Sequence, residues 1–138
     1  MKKMVYEVLD EVAKSRTKEE KIRILKTNES WALKDIIKGS MDASVKWNVP
    51  GGAPPYRPAP EQSTPTSLYR EHKKFKYFVK GVPASDGLNP VKRESLFIGL
   101  IEGIHPEDAK LVIEMVNKTK PTNLTKPIVD AAFPGLLS

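Results

Sequence analysis

The sequence predicts an all-α fold: a single domain of about seven short helices with a proline-rich loop at its centre. Three observations carry that expectation. Apolar residues recur at three- and four-residue steps through most of the chain. Helix-start signatures precede nearly every such segment. Sustained apolar–polar alternation is absent, apart from a weak trace at 44–49 that could pair only as a minor element. A chain of 138 residues is one domain's worth, organised as N-terminal helices (1–49), the loop (50–66) and C-terminal helices (67–138).

Val5, Val8, Leu9 and Val12 form the apolar stripe of a first helix over 2–14. Thr17 followed by Glu20 is a capping box, in which hydroxyl and carboxylate satisfy amides that the first helical turn leaves unpaired, so a short second helix starts there. Asn28 or Ser30 caps a third, with Leu33, Ile36, Ile37, Ser40 and Met41 on one face and Gly39 loosening its end. Residues 50–65 then hold six of the twelve prolines, which lack the amide hydrogen and fix φ, so neither helix nor central strand survives. An extended, polyproline-like connector is expected, either docking a protein partner together with exposed aromatics, as in a virion structural or adaptor protein, or simply packed across the surface.

Thr64 and Pro65 open a helix over 67–80 that Gly81 ends. Asn89 and Pro90 open the most apolar helix, 92–104, whose Leu96, Phe97, Leu100, Ile101 and Ile104 share a broad core face. Its Gly99 and Gly103 suit close approach by a neighbouring helix. His105 and Pro106 begin the next, with Leu111, Val112, Met115 and Val116 buried, and acidic Glu107 and Asp108 at the positive end of the helix dipole. Thr125 and Pro127 start a final short helix that Phe133-Pro134-Gly135 stops.

The composition excludes several function classes. Cysteine is absent, which removes disulfide scaffolds, thiolate zinc sites and thiol nucleophiles. Acidic residues interrupt the segment after the basic start, so no secretion signal is read, and no apolar run reaches membrane-spanning length. No metalloprotease, nucleophile-elbow or phosphate-loop motif occurs, and the glycines at 51–52 lack the Gly-Lys-Ser/Thr ending. Neither an enzyme nor a cofactor, a metal, a membrane or a small-molecule substrate is expected. Glu94 and Glu102 are eight apart without a supporting base. Three near-consecutive residues such as His105, Glu107 and Asp108 seldom converge on one ion. Of the two histidines, His72 falls on an apolar side, as a hydrogen-bonded core imidazole would.

The net charge of +6 is unevenly spread, and residues 67–85 hold five basic groups against one acid. On an α-helix, Leu68, His72, Phe75, Phe78 and Val79 gather on one side of 68–80. The other side carries Tyr69, Arg70, Lys73, Lys74, Lys76, Tyr77 and Lys80. Such cations neutralise phosphates and such rings stack on bases, so the segment is a candidate nucleic-acid surface. A solvated basic helix face fits the same pattern. Trp31 projects away from the stripe of the third helix, and with Trp47 and Tyr56 it is a candidate anchor for a protein partner, or a packing contact within the domain. The Pro55–Pro58 step matches a PxxP ligand only formally.

The stretches KIRIL (21–25), ALKDIIKG (32–39), VPGGAPPY (49–56), HKKFKYFVK (72–80), KRESLFIGLIEGIHPEDA (92–109) and AFPGL (132–136) resemble an uncharacterised family of small proteins of large contractile-tailed bacteriophages, marine ones included. The resemblance spans nearly the whole chain, and its most distinctive part is HPEDA. It brings no catalytic residues. It implies a viral protein in the host bacterial cytoplasm that acts in replication, transcription or assembly, or is built into the virion. The basic segment and the aromatic residues leave nucleic acid, or a phage or host protein, as the expected partner.

Overall fold

Local hydrogen bonds set most helix starts where the sequence places them. Thr17 Oγ1 accepts from the Glu20 amide at 3.2 Å, Ser30 Oγ from Leu33 at 3.1 Å, and Asn89 Oδ1 from Val91 at 2.8 Å. His105 Nδ1 accepts from Glu107 at 3.1 Å, so an imidazole caps its own helix. Ser30, not Asn28, starts the third helix; Asn28 instead closes the second, donating from Nδ2 to the Ile24 carbonyl at 2.9 Å.

The computed structural model describes residues 3–138, so position 2 of the first expected helix lies outside the described residues. Eight α-helices follow in order: α1 Val5–Lys14, α2 Lys18–Thr27, α3 Trp31–Met41, α4 Leu68–Glu71, α5 Pro83–Asp86, α6 Pro90–Gly103, α7 Pro106–Val116 and α8 Lys126–Ala132. A 3-10 segment, His72–Phe78, continues α4. The short α5 is one element the sequence did not announce. No strand forms among the described residues, and the trace at 44–49 yields a lone antiparallel bridge between Trp47 and Val79.

Helix α7 is the hub, packing on α1, α3 and α6, while α2 lies against α1 and α8. The 3-10 segment closes on α3, α5 and α6. Leu33, Ile36, Leu68, Phe78, Ile101 and Met115 are among the fully buried side chains of one continuous core. Lys118 ties the α3 end to the α7 end, its ammonium donating to the Gly39, Asp42 and Val45 carbonyls at 2.8, 2.8 and 3.0 Å. No helix among the described residues is long and apolar enough to cross a membrane.

The proline-rich loop is strapped to the helices it crosses. Gly52 exchanges hydrogen bonds with the Asn117 side chain, the Arg57 amide donates to Glu102 at 2.8 Å, and Thr66 donates to the Gly103 carbonyl at 2.9 Å. The loop's own Ala59 is buried. Gly103 thus admits the end of this loop rather than a helix, a Cβ there standing 3.1 Å from Thr66 Cγ2, and Gly99 faces open space.

Three further expectations fail for reasons outside the local pattern. Leu96 is exposed, and Arg93 takes its inward place, only 8% exposed. Its guanidinium donates to the carbonyls of Ser85 (2.9 Å) and Leu88 (3.0 Å), a task no apolar side chain performs. Gly39 does not loosen α3; it admits Trp47, because a Cβ there would lie 2.5 Å from Trp47 Cζ2 and 2.6 Å from Met115 Sδ. The predicted helix over 67–80 is α-helical only as far as Glu71. Phe78 O then accepts from Asn48 N at 2.6 Å and Lys80 N donates to Lys46 O at 2.7 Å, which draws the end of the segment out to meet residues 46–48. Gly81, at φ +91°, turns the chain away.

Candidate nucleic-acid interface

A 3-10 helix has three residues per turn, so positions i and i+3 stack on one edge. His72, Phe75 and Phe78 accordingly form the inner edge, where both phenylalanines are buried and His72 Nδ1 lies 2.6 Å from Asp35 Oδ2 on α3. Lys73 and Lys76 share a second edge, and Lys74 and Tyr77 a third. The basic side is therefore divided into two edges instead of forming one α-helical face.

Arg70, Lys73, Lys74, Lys76 and Lys80 are all exposed. Lys74 is held by Glu71 at 2.9 Å. Arg70, Lys73, Lys76 and Lys80 have no ion-pair partner among the described residues. Lys76 extends over the Tyr77 ring, 5.3 Å from its centroid.

The two tyrosines are turned to the domain more than to solvent. Both are half-buried against the core, and the Tyr69 hydroxyl donates to the Lys3 carbonyl. Burial, reinforced by Asp108 and Glu7, raises the Tyr69 phenol above its ordinary range.

Beside the Lys73–Lys76 edge lies a cleft of about 460 Å³ between α3 and the 3-10 segment. Val45, Trp47, Phe75 and Val79 supply its apolar surface. Asp35, Lys38, His72, Lys73 and Lys76 line its polar margin. The indole of Trp47 is locked there, Nε1 donating to Gly39 O at 3.0 Å and the ring meeting Phe75 edge-on at 6.1 Å. Lys38 is already engaged by Asp42 and the Leu136 carbonyl at 2.9 and 2.8 Å. Reading the chain as sequence finds the cations but misses the cleft. The signal available was the strict three-residue spacing of His72, Phe75 and Phe78, which fits a 3-10 edge better than an α-helical stripe.

A family model, Family of unknown function (DUF6433), matches residues 8–121. The chain belongs to that family. The matched span contains α2 to α7, and with them the entire basic segment and its cleft. No curated protein matches this DUF6433 chain.

Other candidate residues of the DUF6433 domain separate into two groups. Trp31 stands 68% exposed at the start of α3, with the Lys34 ammonium 4.6 Å from its ring centroid and 5.3 Å from that of Phe133. Trp47 and Tyr56 are half-buried against the core. Among carboxylates, Glu102 is occupied by the Arg57 amide and Glu94 is exposed. No three metal-ligating side chains converge among the described residues. His105 stacks on Tyr6 at 4.8 Å, and Asp108 Oδ1 accepts from the Tyr6 amide at 2.9 Å. Burial pushes the Asp108 carboxyl up to about 6, against the opposing pull of that hydrogen bond and His105.

Proposed function

We propose that this protein is a non-enzymatic accessory factor that binds nucleic acid through the 68–80 segment. Arg70, Lys73, Lys76 and Lys80 meet phosphates, and Lys74 adds to the field while shared with Glu71. The supporting observation is four exposed cations within eleven residues, none with an ion-pair partner among the described residues. Five cations against the nearby Glu71 and Asp35 leave a local positive excess that attracts a polyanion. The resemblance to small phage proteins supports a role in the cytoplasm of an infected bacterium, in replication, transcription or assembly. Fluorescence anisotropy with labelled DNA and RNA at about 50 mM salt tests it, because low salt favours counterion release. Wild type binds and the R70A/K73A/K76A/K80A variant does not. Absence of binding to any nucleic acid at that salt overturns the reading.

A second reading rests on Trp31. Its exposed indole borders a recess of about 590 Å³ that also includes Lys34, Phe133 and Leu136, a shape suited to docking a virion or host protein. Abundant copies in purified particles favour this role, and their absence favours the first.

A further inference from the structure

The geometry points to a single-stranded nucleic acid as the ligand, with one unstacked base seated in the cleft between α3 and the 3-10 segment while Lys73 and Lys76 hold the adjoining phosphates. The inference rests on the nucleic-acid reading and narrows it. A duplex presents its phosphates but keeps its base faces stacked inside, so it meets only the lysines and leaves the apolar cleft unfilled. An unpaired strand offers both kinds of group, an anionic backbone and rings with an apolar face.

The site matches both. Its volume of about 460 Å³ falls in the range of small-ligand pockets. Trp47, Phe75 and Val79 give an apolar bed, and Trp47 is fixed in place by Gly39 O and Phe75, so it is organised before binding. The 3-10 geometry puts Lys73 and Lys76 on one edge, both lining the cleft and both exposed. At the margin, Asp35 has one oxygen on His72 and a second oxygen to accept from an exocyclic amino group. The two unpaired lysines select an anionic occupant over a neutral peptide side chain.

The test uses labelled single strands of about 12 nucleotides and a hairpin duplex of equal charge, with three variants. Val45→Trp fills the cleft and leaves every charge in place. K73A/K76A removes the phosphate contacts. Trp31→Phe leaves Trp47 the sole tryptophan, so its emission reports the cleft even should Val45→Trp misfold. Expected are single-strand binding at least tenfold tighter than duplex binding, loss of that preference in Val45→Trp, and quenching of Trp47 by the single strand alone. K73A/K76A weakens both ligands. Equal affinity for duplex and single strand, with Trp47 unquenched, overturns the inference while the nucleic-acid reading stands. A mononucleotide binding as tightly as the oligomer also overturns it. Binding of neither polymer overturns the broader reading and this one with it.

Discussion

Asp108 to Asn is the substitution whose consequence can be worked furthest from the structure. Asp108 is 3% exposed, and burial lifts its carboxyl from 3.8 to about 6 in the folded chain, partly offset by the Tyr6 amide and His105. The native state therefore holds the proton more tightly than the unfolded state. The stability this adds is complete below the unfolded value of 3.8 and is lost as pH rises through about 6. A difference of that size corresponds to about 3 kcal/mol between about pH 3 and about pH 8. An asparagine at 108 keeps an oxygen for the Tyr6 amide but has nothing to titrate. Urea unfolding of both proteins across that pH range measures the gap between them. The gap should move by about 3 kcal/mol in favour of the variant as pH rises, whatever constant cost the substitution carries. Parallel stability curves for the two proteins would refute the reasoning.

Asp42 has the opposite sign. It is buried, which alone would raise its carboxyl, but hydrogen bonds from the Ser44 hydroxyl, Lys38 and the Ser44 and Ser138 amides hold it well below the usual range. Its contribution is full above the ordinary carboxylate value and is lost as pH falls below it. Asp42→Asn weakens the charge-assisted hydrogen bonds from Ser44, Lys38 and Ser138, and should cost about 1–3 kcal/mol at neutral pH and flatten the acid limb of the unfolding curve, as followed by circular dichroism. Gly39→Ala forces Trp47 or Met115 aside and should cost about 1–3 kcal/mol in urea unfolding. Combining it with Met115→Ala, which vacates part of that space, should yield less than the sum of the two separate losses.

What the sequence made legible was local. A hydroxyl at Thr17 or Ser30, or a proline after Asn89 and His105, acts within one helical turn, so those starts could be read residue by residue. The exchange of Leu96 for Arg93 could not, since it depends on which carbonyls of the α5 region face α6. The 67–80 segment failed similarly. Its end is set by pairing with residues 46–48, some thirty positions away, and three- and four-residue spacings look alike over so short a stretch. At the candidate site, the cations were visible because residues 67–85 contain a single acid, Glu71, and that acid engages only Lys74. The tyrosines were not: Tyr69 is tied to Lys3, sixty-six residues distant, and helical arithmetic carries no information about such a contact.

The salt dependence of oligonucleotide binding probes the central claim most directly. Four unpaired cations on a single strand should make log Kobs fall against log salt with a slope of about −3, and K73A/K76A should halve it. Affinity indifferent to salt, or a slope that K73A/K76A leaves unchanged, would contradict the assignment of phosphate contacts to this segment.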